Sequence, residues 1–480
     1  MPEYFSLPIN RHSLLIGIVT GLAALTGCAR FEPKPVSPAE TAAALENRAL
    51  NSPQLKSFLE TNLHRALSEW PVRSWDFETL TRVAFYYHPS LDVARAQWGV
   101  AQAGVTTAGG RPNPVVSVAP GYDTRPLGAP SPWFPAISID VPIETAGKRG
   151  YRIAQAQNLS EAARLNLASA AWQVRSNLRA SLLDFTAASQ RATLLQKQLD
   201  VQQQIVVLLE QRLQAGAVAR TELTFPRIAL AKAVADHADA TRQAAQARVH
   251  IAEALGLSVK AIAGAVFDFK LALDADASRE LTSAEARRQA LLGRPDVLSA
   301  LAEYAASQSA LQLEIAKQYP DVHFNPGYQF DEGQHKWSLG LSAELPVLNR
   351  NQGPIAEAKA RREESAAQFV ALQAKVIAEI DGALAARATA MEQVTQQDQL
   401  TQLAREQSES AEAMFNAGAM DKLELAGAQL EASANDLANL DAQVKAQQAV
   451  AQLEGAIQRP LEAWPVLEQG RAAPAKQEKP

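Results

Sequence analysis

The feature that most narrows what this chain can fold into is that it is written twice. Pro114, Pro120, Gly121 and Tyr122 recur as Pro320, Pro326, Gly327 and Tyr328, an offset of 206 residues. His88-Pro89 matches Arg294-Pro295 at the same offset, and Pro142-Ile143 matches Pro346-Val347 at 204. Further on, Ala215-Gly216-Ala217 with Glu222-Leu223 matches Ala417-Gly418-Ala419 with Glu424-Leu425 at 202. Four anchors in one order at nearly constant spacing define a unit of about 200 residues. That is far longer than a solenoid repeat, so the unit is a duplicated domain.

Within each unit the hydrophobic period changes. Residues 76–111 have helical spacing. In the second unit Val322, Phe324, Pro326, Tyr328 and Phe330 then alternate with His323, Asn325, Gly327 and Gln329. After a loop at 331–336, Trp337, Leu339, Leu341, Ala343 and Leu345 alternate with Ser338, Gly340, Ser342 and Glu344. Period two predicts a hairpin of two strands, each apolar and aromatic on one face. The first unit repeats the pattern with Val116, Val118, Pro120 and Tyr122, then Trp133, Ile137, Ile139 and Val141, around a Pro- and Gly-rich tip at 123–132. Strands of about nine residues suffice to cross a bilayer when tilted, with apolar side chains toward lipid and polar ones toward a lumen. An open hairpin in lipid leaves backbone groups unpaired. Two hairpins give four strands, so a closed barrel requires several chains, and three chains supply twelve strands.

A long helical stretch follows each hairpin. Residues 148–211 lack proline, and Leu195, Leu199, Val206, Leu209 and Leu213 form a coiled-coil-like stripe. A turn at Gly216 predicts a reversal and a return helix over 222–255. The second unit does the same over 354–415, with a turn at Gly418 and a return to 457. Both glycines suit a helix end that needs positive φ. Prolines 112, 114, 142, 320 and 346 mark the switches between helix and strand, because proline neither continues a helix interior nor donates in a ladder.

The N-terminal end carries a processing signal. Arg11 and His12 precede an apolar run at 14–25 (LLIGIVTGLAAL), too short to span a bilayer and suited to a secretory signal. Leu25-Thr26-Gly27-Cys28 resembles the bacterial lipobox, in which a lipid is attached to the cysteine. Cys28 is the chain's one cysteine, so it has no internal disulfide partner. Ala29 in place of aspartate after it suggests sorting to the outer membrane. Residues 471–480 are expected to be a disordered tail.

The composition excludes other classes. Aromatics make up 6 % and the net charge is −5, which gives no concentrated basic surface for nucleic acid. No phosphate-binding loop, dinucleotide fingerprint or zinc-protease motif is present. The seven histidines form no metal motif, although His335 beside Asp331 and Glu332 makes a candidate cation-binding loop. No metal and no cofactor beyond the lipid on Cys28 are expected.

With these residues in view, the chain resembles the TolC family of outer-membrane efflux ducts over residues 76–458. The resemblance rests on Arg111-Pro112-Asn113-Pro114 before the first strand, the duplicated strand–strand–helical-hairpin unit, and the Ala-Gly-Ala turns followed by Glu-Leu. Pro142-Ile143-Glu144-Thr145-Ala146-Gly147-Lys148-Arg149 is similar to the CzcC-like heavy-metal branch. The resemblance implies a mainly α protein with a membrane β-barrel. It implies a homotrimer with a twelve-stranded barrel above an α-helical periplasmic tunnel, and no enzymatic activity. It further implies a periplasmic adaptor, an inner-membrane transporter of the resistance-nodulation-division class, and metal cations or drugs as cargo. The expected division is signal 1–27, lipid-anchored arm 28–75, first repeat 76–260 (hairpin 114–143, helices 148–258), connecting segment 261–285, second repeat 286–458 (hairpin 320–347, helices 354–457) and tail 459–480. By resemblance the adaptor docks on the two helical turns, at Arg212, Gly216, Val218, Glu222 and Leu223 and at Phe415, Gly418, Met420, Glu424 and Leu425. Glu406, Glu409, Glu412 and Asp421, tripled by symmetry, are candidates for an acidic gate. The alternative is a lipid-anchored periplasmic coiled-coil scaffold or adaptor, which has no use for a lipid-facing aromatic face.

Overall fold

The computed structural model describes residues 30–124, 132–272, 283–331 and 333–461. The expected signal 1–27, Cys28, most of the loop 123–132, Glu332, residues 273–282 of the connecting segment and the tail beyond 461 lie outside the described residues.

The chain divides after Asn47. The first unit holds α1 (Pro38–Glu46), begun by Ser37, whose hydroxyl accepts from the Glu40 N–H at 3.4 Å. The second unit holds α2 (Pro53–Leu63), β1 (Ser74–Asp76), α3 (Phe77–Tyr87), α4 (Pro89–Ala108), β2 (Val115–Tyr122), β3 (Trp133–Ile143) and α5 (Lys148–Gln214). A 3₁₀ turn (Arg220–Leu223) leads to α6 (Thr224–Leu255), then β4 (Val266–Asp268), α7 (Ser283–Gly293), α8 (Pro295–Ala316), β5 (Val322–Asp331), β6 (Gln334–Ala343), α9 (Gln352–Asn416) and α10 (Lys422–Ile457).

The duplication is therefore structural. Helix α5 has 67 residues and α9 has 65, about 100 Å each at ~1.5 Å per residue. Each begins after a residue in the left-handed region, Gly147 at φ 72° and Asn351 at φ 61°. Each ends at a left-handed glycine, Gly216 at φ 73° and Gly418 at φ 75°. Each then runs antiparallel to its return helix. No helix among the described residues is long and apolar enough to cross a membrane.

The four long strands form one antiparallel sheet in the order β2-β3-β5-β6. Val116 opposes Ile139, Val141 opposes Phe324, and Phe324 opposes Leu341, so the apolar residues of all four strands share one face. The second hairpin is tighter than its polarity predicts. The loop expected at 331–336 is largely strand, because Asp331 already pairs with Gln334 and Gly333 turns the chain at φ 80°. Lys336 closes onto Asp331 at 2.8 Å, and His335 meets the Tyr328 hydroxyl at 2.7 Å, so polar residues expected in a loop are held in the ladder.

Two cores lie beside the ends of α6 and α10. The first gathers Leu80, Val83, Val174, Leu178, Leu182, Ile251 and Leu255, and it also takes in Leu55, Leu59 and Trp75. The sequence division at 75/76 thus separates residues that share one core. Short β1 pairs in parallel with β4, which ties residues 74–76 to 266–268. The helical span expected at 76–111 is broken at Pro89, where His88 starts α4 and its ring nitrogen accepts from the Ser90 N–H. The second core gathers Val297, Val376, Ile380, Leu453 and Ile457. Between the repeats, Glu454 of α10 is only 1 % exposed and accepts from Arg175 at 2.9 Å and Arg179 at 2.5 Å, both on α5.

Candidate functional site

Three places carry the functional geometry: the helical turns, the outer face of the sheet, and the helix faces left open by the duplication.

At the turns, backbone bonding repeats position by position. Gly216 N–H donates to Leu213 O at 3.0 Å and Ala217 N–H to Arg212 O at 2.8 Å; Gly418 donates to Phe415 O at 3.0 Å and Ala419 to Met414 O at 2.9 Å. These bonds close each helix end, which would otherwise leave carbonyls unsatisfied. The two exits differ because one residue differs. Asp421 caps α10, its carboxylate accepting from Leu423 N–H at 2.7 Å and Glu424 N–H at 2.9 Å. At the matching position Ala219 has no acceptor, and the chain takes a 3₁₀ turn before α6. In both turns the glutamate three residues on reaches back, Glu222 to Ala219 N–H at 2.8 Å and Glu424 to Asp421 N–H at 3.0 Å.

The turns also meet each other. Ile205, Leu209, Leu223 and Ala426 form a buried cluster, with Leu213, Val218 and Leu423 against it. Arg212 donates to Asp421 at 3.0 Å across the two turns. The Glu424 N–H and the Arg212 guanidinium hold the Asp421 carboxyl below its ordinary range. Among the residues named from the sequence, Leu223 and Leu425 are buried, Arg212, Val218, Phe415 and Met420 are half-buried, and Gly216, Glu222, Gly418 and Glu424 are exposed. Glu406, Glu409 and Glu412 are exposed along α9, and Glu406 accepts from Gln402 at 3.0 Å. Asp421 stands apart from those three, in the cap and the ion pair. Two residues were missed: Phe225 and Ile228 at the start of α6 are 81 % and 60 % exposed. Their spacing of three, which puts two large apolar residues on one face of the helix start, was the signal that marked them.

The sheet's apolar face is unburied. Val118, Trp337 and Leu341 are 65 %, 81 % and 72 % exposed. Aromatic pairs sit at the turn end of each hairpin, Tyr122 on Trp133 and Tyr328 on Trp337, each with ring centroids 4.9 Å apart. The opposite face is polar: His323 Nδ1 lies 3.0 Å from both Asp140 carboxylate oxygens, and Asn325 donates to Ser342 at 3.1 Å. Among the described residues no cluster of three or more His, Cys, Asp or Glu is arranged to hold a metal ion. The outer strands β2 and β6 each have one edge unpaired among the described residues.

Comparing the repeats exposes a third feature. On α8, Ser299 and Ala306 are both 3 % exposed, and Ser299 donates to Ala162 O of α5 at 3.2 Å. The matching residues of α4 are Val93 and Val100, larger and apolar, yet 57 % and 74 % exposed. A surface that is covered in one repeat is bare in the other.

Known proteins give a consistent picture. Residues 84–257 and 286–457, one segment per repeat, match the sequence model of the outer membrane efflux protein family. The chain is 26 % identical over 284 residues to the cobalt-zinc-cadmium resistance protein CzcC of Cupriavidus metallidurans. That alignment covers 59 % of this chain and 65 % of the relative, just under two thirds of its length. The fold is similar to the outer-membrane channel OprN, with a TM-score of 0.67 at 18 % identity over 91 % of this chain and 99 % of that one. It is also similar to the outer membrane protein VceC of Vibrio cholerae, with a TM-score of 0.65 at 18 % identity over 80 % and 97 % of the two chains. The relatives are efflux channels and not enzymes. With both of its repeats matched, the chain belongs to the outer membrane efflux protein family.

Proposed function

We propose that three copies of this chain form a sealed duct through the outer membrane, which serves as the passive exit of a tripartite efflux system. The observation that carries this reading is the four-stranded sheet, with an exposed apolar face, aromatic ends and two open edges. In lipid such edges leave backbone groups unpaired at several kcal/mol each, by order of magnitude. Pairing β6 of one copy with β2 of the next removes both edges and closes twelve strands.

The duplication supplies the register. Val141 of β3 pairs with Phe324 of β5 within one chain. Carried forward by the repeat offsets, that pair becomes Leu345 of one copy opposite Val118 of the next, both in the apolar alternation of their strands. The same operation lays Val93 and Val100 of α4 against a neighbour's α9, as Ser299 and Ala306 lie against α5.

The helical tunnel then runs from the barrel to the paired turns, which are the docking surface for a periplasmic adaptor through Arg212, Val218, Glu222, Phe415, Met420 and Glu424. Beyond the adaptor lies an inner-membrane transporter, of the resistance-nodulation-division class by resemblance. Likeness to CzcC favours divalent metal cations as cargo, and drugs are the other class to assay. Glu406, Glu409 and Glu412, tripled around the axis, form an acidic ring that favours cations. Cys28 carries a lipid that adds a membrane anchor. The test is extraction from outer-membrane fractions followed by electrophoresis without boiling and by planar-bilayer recording. Heat-resistant trimers with stable conductance are expected. A soluble monomer without conductance overturns the reading.

A further inference from the structure

The junction between sheet and tunnel breaks the repeat symmetry in one place. In the first repeat it is filled. Arg152 of α5 makes two bonds to Glu144, at 2.7 and 3.2 Å, and donates to the Ala108 and Gly110 carbonyls at 2.8 and 3.0 Å. Arg149 donates to Gly109 O at 2.8 Å. The two guanidiniums plug the space between the end of α4 and the start of α5, and they satisfy the carbonyls of that helix end.

In the second repeat, Arg152 is replaced by Ala356, Arg149 by Gly353 and Glu144 by Leu348. The plug is gone, and a cavity of about 760 Å³ stands in its place, lined by Ile315, Val347, Leu348, Arg350, Ala356 and Lys359 among others. That volume lies within the ~300–1,000 Å³ typical of small-molecule sites. Its lining is amphiphilic. In the single chain Val347 and Leu348 form a lip that is 73 % and 94 % exposed. Leu345 beside them continues the apolar face of β6, and the repeat register sets the backbone of Val347 at the end of the seam with the next copy. Arg350 and Lys359 line the same cavity, and neither has an ion-pair partner among the described residues. Two exposed cations lining the same cavity as an apolar lip, at the end of a strand read as lipid-facing, match the headgroup and first acyl carbons of an anionic phospholipid.

We propose that this cavity binds one anionic glycerophospholipid per protomer, with its phosphate on Arg350 and Lys359 and its acyl chains over Val347 and Leu348. The proposal rests on the reading that the apolar sheet face meets lipid.

Native mass spectrometry of the full-length protein in detergent, titrated with phosphatidylglycerol or phosphatidylcholine, tests it. Trimers should carry phosphatidylglycerol preferentially. The double variant Arg350→Gln/Lys359→Gln should bind it about 25-fold more weakly, roughly five-fold per cation. The decisive variant is Ala356→Arg/Leu348→Glu, which restores the Arg152–Glu144 pair of the first repeat's plug and leaves both cations in place. It should lose the lipid while its trimers and conductance persist. Retention of lipid by the plugged variant, or equal uptake of phosphatidylcholine, overturns the proposal. So do adducts found on dissociated monomers but absent from trimers, which would mean that a neighbouring copy seals the cavity. Trimers without lipid preference refute the lipid site and leave the duct intact. A wholly monomeric protein refutes the duct itself.

Discussion

Replacing Glu454 by alanine should destabilise the protein more than any single exposed substitution. Its carboxylate receives Arg175 and Arg179 on one oxygen, at 2.9 and 2.5 Å, and the Leu461 N–H on the other at 3.0 Å. At an effective dielectric of ~20, each pair about 4 Å apart between charge centres is worth ~4 kcal/mol gross. Desolvation of three charges offsets much of that, so the pair's net worth against an apolar replacement is small. Removing the glutamate alone is different, because it leaves two buried guanidiniums facing each other. Breaking a buried pair in this way costs about 3–5 kcal/mol. The loss falls on the link between the repeats, since α5 and α10 belong to different halves. Burial, the largest single influence, pushes the Glu454 carboxyl up, but the two guanidiniums and the Leu461 N–H together hold it below its ordinary value of 4.5. A carboxyl that titrates lower in the folded than in the unfolded chain contributes stability that is fully present above about 4.5 and lost as pH falls through the folded value. Urea unfolding of detergent-solubilised protein, followed by tryptophan fluorescence at pH 7 and in steps below 4.5, measures both effects. Wild type should weaken in acid, and Glu454→Ala should be weaker at pH 7 and flatter across the acid range. A Glu454→Ala protein within ~0.5 kcal/mol of wild type at pH 7 refutes the reasoning.

Other outcomes follow from the same geometry. Val93→Asp/Val100→Asp, on a face exposed in the single chain, should abolish heat-resistant trimers while circular dichroism stays helical; trimers of normal yield would count against the copied interface. Gly216→Val places a β-branched side chain at φ 73° and should cost ~1–2 kcal/mol in urea unfolding, whereas Gly427→Ala, at the exposed start of α10, should be neutral or stabilising. Glu406→Gln/Glu409→Gln/Glu412→Gln should lower the cation preference of single channels in salt-gradient recordings; an unchanged reversal potential removes these residues from the gate. Brominated lipid should quench Trp133 and Trp337 in reconstituted protein more strongly than Trp172, and equal quenching would deny the sheet its contact with lipid.

Much of the fold could be read from local signals. Gly216 and Gly418 stop their helices because only a residue tolerant of positive φ closes those turns, and prolines 320 and 346 mark the ends of elements for steric reasons, whereas the helix break at Pro89 was not read. Strand faces followed from alternation, since a period of two leaves Phe324 and Tyr328 no choice of side. Local signals failed where partners are distant in sequence. Arg175 and Glu454 are 279 residues apart, and nothing in either neighbourhood names the other. The 3₁₀ turn at Arg220–Leu223 depends on the lack of an acceptor at Ala219, visible only once Asp421 is seen capping its own helix. Likewise Leu55 and Trp75 join the first core through tertiary packing that their short, aperiodic segment does not announce. The bare valines of α4 were present in the sequence but acquire meaning only beside the buried Ser299 and Ala306.

The measurement that tests the sealed cylinder most directly is a disulfide across its seam. The chain has one native cysteine, so a Val118→Cys/Leu345→Cys protein presents a defined new pair. Mild oxidation in outer-membrane vesicles should yield covalent dimers and trimers that reducing agent collapses, with neither single variant cross-linking. Efficient formation of a loop within one chain, or no cross-link in vesicles that hold folded protein, would contradict closure of three open sheets into one barrel.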